Sequence, residues 1–202
     1  MFYRPGIDDP GLPHNPFKAI VAPRPIGWIS TQDEEGHANL APYSFFNGVG
    51  DAPPMVMYST TGGKIGRDEA KDSLTNIRAT GEFCVSIVSR ALRDAMNASS
   101  GHYAPGEDEF ALAGLTKGAA QVVAPPFVAE APVAMECRFH QEVALPGEAY
   151  VVFGEVVGIH IREEYLREGI LDVTLYEPLA RLGYRDYTAV TELFSLNRPG
   201  QS

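Results

Sequence analysis

The sequence predicts one mainly β domain, an antiparallel barrel closed on itself with short helices inserted between its strands. Strand-like runs outnumber helical ones, and the two longest, residues 133–144 and 150–161, are rich in valine and aromatics. Leu145-Pro146-Gly147-Glu148 joins them, which reads as a long hairpin. At 202 residues the chain has a length that all-β barrels commonly reach undivided. We therefore expect residues 1–202 to form a single domain, with irregular arms at 1–15 and 197–202.

Taken in order, the arm has no periodic pattern, and order begins at residues 17–21. Residues 26–32 form a β-branched and aromatic run, Asp33-Glu34-Glu35-Gly36 a turn, and a second extended run follows from His37, so this stretch reads as a hairpin. Pro42 interrupts the second arm. A proline cannot donate to a ladder, so it marks an edge, a bulge or the end of pairing. Residues 55–59 read as a short strand entered through Pro53-Pro54. A loop over 60–73 follows, with three glycines, several hydroxyls and three basic residues. Leu74 and Ile77 lie one helical turn apart, Asp72 or Ser73 can cap the start and Gly81 the end, so the spacing predicts a helix over 73–80. Then come a strand over 82–89, a helix over 91–98, a loop over 99–106 and a helical turn or two within 107–113. Beyond the long hairpin, a polar connection at 163–168 and a short element at 179–182 complete the chain.

Composition removes several functions. A net charge of −10 offers no basic stripe to a nucleic acid or an anionic membrane. No apolar run approaches the ~20 residues that span a bilayer, and no signal segment opens the chain, so a cytoplasmic protein is expected. Cys84 and Cys137 sit in apolar strands and read as core. With neither CxxC nor HExxH, a zinc site has no support.

Two stretches point to chemistry. From Asn39 to Asn47, small and polar residues lie among three aromatics, a surface suited to a flat heterocycle with polar edges. The start of the helix over 73–80, with exposed N–H groups, hydroxyls and Lys71, reads either as a phosphate site or as an ordinary capped helix.

These stretches carry three ordered motifs: Pro23-Arg24-Pro25-Ile26-Gly27-Trp28-Ile29-Ser30-Thr31, Asn39-Leu40-Ala41-Pro42-Tyr43-Ser44-Phe45-Phe46-Asn47 and Lys71-Asp72-Ser73-Leu74-Thr75-Asn76-Ile77. Together with Asp108-Glu109-Phe110, Ala113-Gly114-Leu115-Thr116 and Ala180-Arg181-Leu182-Gly183-Tyr184, they resemble the flavin reductase-like, FMN-binding split-barrel family over residues 18–188. The resemblance implies an antiparallel, Greek-key-like split barrel that binds FMN between two copies of the chain. It implies an NAD(P)H:flavin reductase, or the reductase component of a monooxygenase pair, with NADH or NADPH as transient donor. A flavin-binding electron carrier without nicotinamide turnover and a flavin-free structural member are the rival readings. No catalytic side chain is expected, because hydride passes between cofactors and the protein orients them.

On this resemblance Ser30, Thr31, Asn39, Ala41, Pro42, Tyr43 and Ser44 would contact the ring system, and Ser59, Lys71, Asp72 and Arg24 the ribityl-phosphate end. Trp28 stands either near the flavin or in the core, and Arg24 serves a phosphate, a second subunit or a surface salt bridge. His102 and Tyr103 cover the exposed flavin face, admit a nicotinamide or belong to a surface loop. Tyr184 stands where the family has a glycine after Leu-Gly.

Overall fold

The computed structural model describes residues 1–61, 72–101, 103, 104 and 106–200. Lys71, His102 and most of the loop over 60–73 lie outside the described residues. Seven strands make one sheet: β1 (Gly27–Gln32), β2 (Ala38–Tyr43), β3 (Phe46–Asp51), β4 (Pro54–Thr60), β5 (Glu82–Ile87), β6 (Val133–Leu145) and β7 (Ala149–Ile161). Their order is β2-β1-β5-β6-β7-β4-β3, with every neighbour antiparallel. The described helices include α1 (Asp72–Thr80), α2 (Arg93–Ala98) and α3 (Glu109–Leu112).

The two edge strands, β2 and β3, are consecutive in the chain and separated only by Ser44 and Phe45. Flat, a seven-stranded sheet would hold its edges roughly 29 Å apart at ~4.8 Å per strand. A two-residue link reaches about 11 Å. The sheet must therefore curl until its edges meet, and the packing shows that it does. A Cβ on Gly27 of β1 would lie 2.6 Å from the Phe46 ring, the first side chain of β3. The link is pinned by the Ser59 amide, which donates to the Phe45 carbonyl at 2.8 Å. The edges meet without a shared ladder, so the barrel is split along this seam.

Period-two alternation gives the curled sheet two cores. Ile29, Tyr43, Tyr58, Phe83, Val85 and Val152 fill the inside, together with Leu74 and Ile77 from α1. Trp28, Leu40 and Val88 face outward and are covered by Met96 of α2, Phe110 of α3 and Val128. The helix α1 closes as the sequence predicts, with the Gly81 amide donating to the Ile77 carbonyl at 2.8 Å and Gly81 at φ +73°.

An irregular strap, residues 121–128, lies across the outward face and is held by side chains of three strands. Ser30, Cys84 and Glu136 stand in register on β1, β5 and β6. Glu136 is 1% exposed. Its carboxylate accepts from the amides of Gln121, Val122 and Val123 at 2.8, 2.6 and 3.0 Å, and contacts His160 Nε2 at 2.6 Å. Next, the Ala124 amide donates to Glu82 at 2.9 Å and the Cys84 thiol donates to the Pro125 carbonyl at 3.2 Å. Ser30 Oγ donates to the Pro126 carbonyl at 2.5 Å, and the Val128 amide donates to Ser86 at 3.0 Å. Burial opposes ionisation of Glu136, but these donors outweigh it and hold the carboxyl down at about 2.

One departure from the sequence reading stands out. The second hairpin arm was expected to run through Asn47, whereas it ends at Tyr43 and the chain then crosses to the other edge as β3. Strand β3 carries Gly48 and Gly50, with a register shift between them, and so lacks strand propensity of its own. Cys84 and Cys137 are free and buried, as expected of core residues.

Candidate functional site

Register decides which side chains can share a site. Thr31 pairs with Asn39, Ile29 with Ala41 and Gly27 with Tyr43, and paired residues of antiparallel strands point to one face. Thr31, Asn39, Ala41 and Tyr43 therefore line the inner side of the seam, beside the first turns of α1. There Asn76 Nδ2 donates to Thr31 Oγ1 at 3.1 Å, and the Tyr43 hydroxyl meets Ser73 Oγ at 2.5 Å. Burial pushes the Tyr43 phenol up to about 12; the Ser73 contact works against this, and Asp72 and Glu109 add to it. The Asn39 amide nitrogen is buried at this place and has no hydrogen-bond partner. An unmet buried donor is costly, about 1–3 kcal/mol, and marks a position built for an acceptor.

Along the outer rim of the seam, the Leu40 amide donates to the Glu109 carboxylate at 3.1 Å. Burial raises the Glu109 pKa above the ordinary carboxylate value. The next position facing the same way is Pro42, which has no N–H. Ser44, in the link between the edges, is half-buried, and Asp72 opens α1 with its side chain exposed.

Several expected residues are placed elsewhere. Trp28 is fully buried on the outward face, and its Nε1 donates to Ser99 Oγ at 2.8 Å. Ser30 is buried under the strap. Neither side chain has surface left for a ring, so Trp28 takes the core alternative and the Ser30 hydroxyl serves the strap. Ser59 alternates with the inward Tyr58, and its hydroxyl donates to its neighbour Thr60 at 3.2 Å. Arg24 is 6% exposed. Its guanidinium donates to the carbonyls of Lys18 and Val21, and to that of Leu182 at 2.7 Å, tying the Phe17–Ile20 turn to the Leu179–Arg181 strand. Here it is an internal brace, a role that none of the three sequence readings gave it. Tyr184 takes the left-handed backbone conformation that favours glycine, with φ +55°, and its ring packs on His14 at 5.6 Å.

Sequence reasoning missed four residues of the seam: Tyr58, Ser73, Asn76 and Glu109. For two of them a signal existed, since Ser73 and Asn76 stand three apart and share one face of α1. A separate groove of about 300 Å³, lined by Ser89, Arg90, Arg93, Tyr165, Tyr176 and Glu177, contains none of these residues. Among the described residues no cluster of His, Cys, Asp and Glu could hold a metal, and no helix is long and apolar enough to cross a membrane.

Comparison with known proteins agrees with this architecture. Over 171 residues the chain is 37% identical to an uncharacterized protein of Aquifex aeolicus, covering 83% of this chain and 85% of that protein. Nitrilotriacetate monooxygenase component B from Bacillus cereus superposes with a TM-score of 0.87 at 28% identity, covering 97% of this chain and 98% of the other. The 2-nitrobenzoate 2-nitroreductase of Pseudomonas fluorescens superposes with a TM-score of 0.81, also at 28% identity, over 91% and 89% of the two chains. The flavin reductase like domain matches residues 21–185, and on that match this chain belongs to the flavin reductase-like family.

Proposed function

We propose that the seam binds FMN and that the chain is an NAD(P)H-dependent flavin reductase, working in the cytoplasm and able to supply a monooxygenase partner. The observation that carries this reading is the buried, unpartnered Asn39 amide beside Thr31 and Ala41. That amide is a donor suited to a carbonyl on the edge of an isoalloxazine, and the flanking Ala41, Pro42 and Ser44 allow close approach of a flat ring. The exposed Asp72 carboxylate suits ribityl hydroxyls. Bound there, the flavin supplies the hydride-accepting centre, while this chain orients the ring and shields it from water.

Mixing the purified protein with FMN and then NADH or NADPH, and following the flavin absorbance band, tests the proposal. Rapid bleaching is expected. Binding without bleaching would convert the reading to an electron carrier, and absence of binding would overturn it.

We also propose a homodimer. Phe2, Phe17, Ile20, Phe194 and Leu196 are exposed on the terminal segments, apolar surface that a second copy of the chain would cover. Light scattering at micromolar concentration should give twice the chain mass of 21.9 kDa, and a single-chain mass would refute the pairing.

A further inference from the structure

The groove of about 300 Å³ shares no residue with the seam, and the function proposed above makes no use of it. Its two walls come from distant parts of the chain. Arg90 and Arg93, from the Arg90–Leu92 turn and the start of α2, line one side, and Tyr165, Leu175, Tyr176 and Glu177 line the other. Backbone pairing stitches the sides together: the Arg90 amide donates to the Glu177 carbonyl at 2.9 Å, and the Leu179 amide donates to the Val88 carbonyl at 2.8 Å. The groove is thus fixed by the main chain and not by side-chain placement alone.

Each side has its own chemistry. The Tyr165 and Tyr176 rings meet edge to face at 5.4 Å, and burial pushes the Tyr176 phenol above its ordinary value, so the ring stays neutral. Beside them Leu175 is 39% exposed, apolar surface that a ligand ring would cover. Opposite, Arg90 Nη1 donates to the Glu177 carboxylate and Arg93 Nη1 to the Arg90 carbonyl, each at 3.2 Å. A guanidinium carries five donors, and among the described residues these bonds use one apiece. Asp94, 86% exposed and outside the lining, meets Arg93 at 3.5 Å, a contact that water screens. Glu177 takes the left-handed backbone, φ +48°, so strain is held at the residue that braces Arg90. The lining sets two guanidiniums against one carboxylate in a chain of net charge −10. Its volume lies at the small end of ligand pockets, enough for one substituted ring and too little for a dinucleotide.

We propose that this groove is a second ligand site, for a small aromatic carboxylate. The ring lies against Tyr165, Tyr176 and Leu175, and the carboxylate accepts from Arg90 and Arg93, whose planar forks match its two oxygens. Glu177 holds Arg90 at the mouth of the groove. An inorganic anion would meet the guanidiniums and leave the apolar side wet, and an uncharged ring would leave the guanidiniums unmatched. The site stands independently of the flavin reading, because no residue is common to the two.

Benzoate is the probe, titrated into the full chain by calorimetry and by NMR of the arginine side-chain N–H signals. Saturable binding is expected, with the Arg90 and Arg93 signals shifting and with added FMN changing the affinity by less than about twofold. Benzamide, which keeps the ring without the charge, and acetate, which keeps the charge without the ring, should each bind about tenfold more weakly or worse. Arg93→Gln breaks no contact with the opposite side of the groove and should weaken benzoate about tenfold, the worth of one charge-assisted bond. Leu175→Glu, which places like charge on the apolar side, should do the same, and thermal melts of both variants should match the parent. Absence of saturable binding at millimolar benzoate, equal binding of benzamide or acetate, displacement of benzoate by FMN, or unchanged affinity in both variants would each overturn the proposal.

Discussion

Glu136→Ala is expected to destabilise the protein by about 3–5 kcal/mol, the cost of breaking a buried, hydrogen-bonded charge. In a chain of this size the midpoint of thermal unfolding should fall by roughly 6–20 °C. The loss arises because the amides of Gln121, Val122 and Val123 all end on this carboxylate, leaving three donors, that of Val123 buried, without an acceptor. Glu136→Gln keeps a carbonyl oxygen for some of them and should lose about half as much. Circular dichroism melts measure both, and an alanine variant within ~1 kcal/mol of the parent would show that the strap holds without its anchor.

The same carboxylate gives the protein a signed response to acid. Its ordinary value is 4.5 and its folded value about 2, so the unfolded chain binds a proton that the folded chain refuses. The contribution is complete above pH 4.5 and drains away as pH falls toward 2, on the order of 3 kcal/mol over the window. Glu136→Gln should flatten that part of the stability profile.

Arg24→Ala should cost about 2–3 kcal/mol of stability without changing the ratio of FMN to riboflavin affinity. The carbonyls of Lys18, Val21 and Leu182 would lose their shared donor, and the Phe17–Ile20 turn would lose its tie to the Leu179–Arg181 strand. Lysine should rescue only part, since one ammonium cannot reproduce the planar fan of a guanidinium. Urea unfolding and flavin calorimetry on the same samples decide the matter. A selective loss of FMN affinity would return Arg24 to the phosphate.

Much of this fold is legible in the sequence. Pro42 announces an edge, and β2 is one; the valine-rich hairpin and the helix over 73–80 appear within a residue or two of their predicted bounds. The errors have physical causes. Naming Ser30 and Thr31 together as ring contacts ignored the period of two, which sends neighbours on a strand to opposite faces. Here one goes to the strap and the other to α1. The strap itself has no periodic pattern, because its order comes from Glu82, Cys84, Ser86 and Glu136 on other strands and not from its own residues, and a local reading of 121–128 finds only Pro125-Pro126. Asn39 was legible as polar, but its lack of a partner is a property of packing alone.

The seam's outer rim has a consequence for colloidal behaviour. An unpaired strand edge is a template on which other chains can add strands and grow fibres. On β2 the Leu40 amide is occupied by Glu109, and Pro42 offers no amide, so an incoming strand finds no donor at either position. The protein can leave a cleft open for a ligand without leaving it open to aggregation. This protection is the more acid-sensitive of the two carboxylate devices. Glu109 takes up its proton above the ordinary carboxylate value and Glu136 far below it. As pH falls, Glu109 is neutralised before Glu136, so the edge loses its repelling charge while the strap still holds.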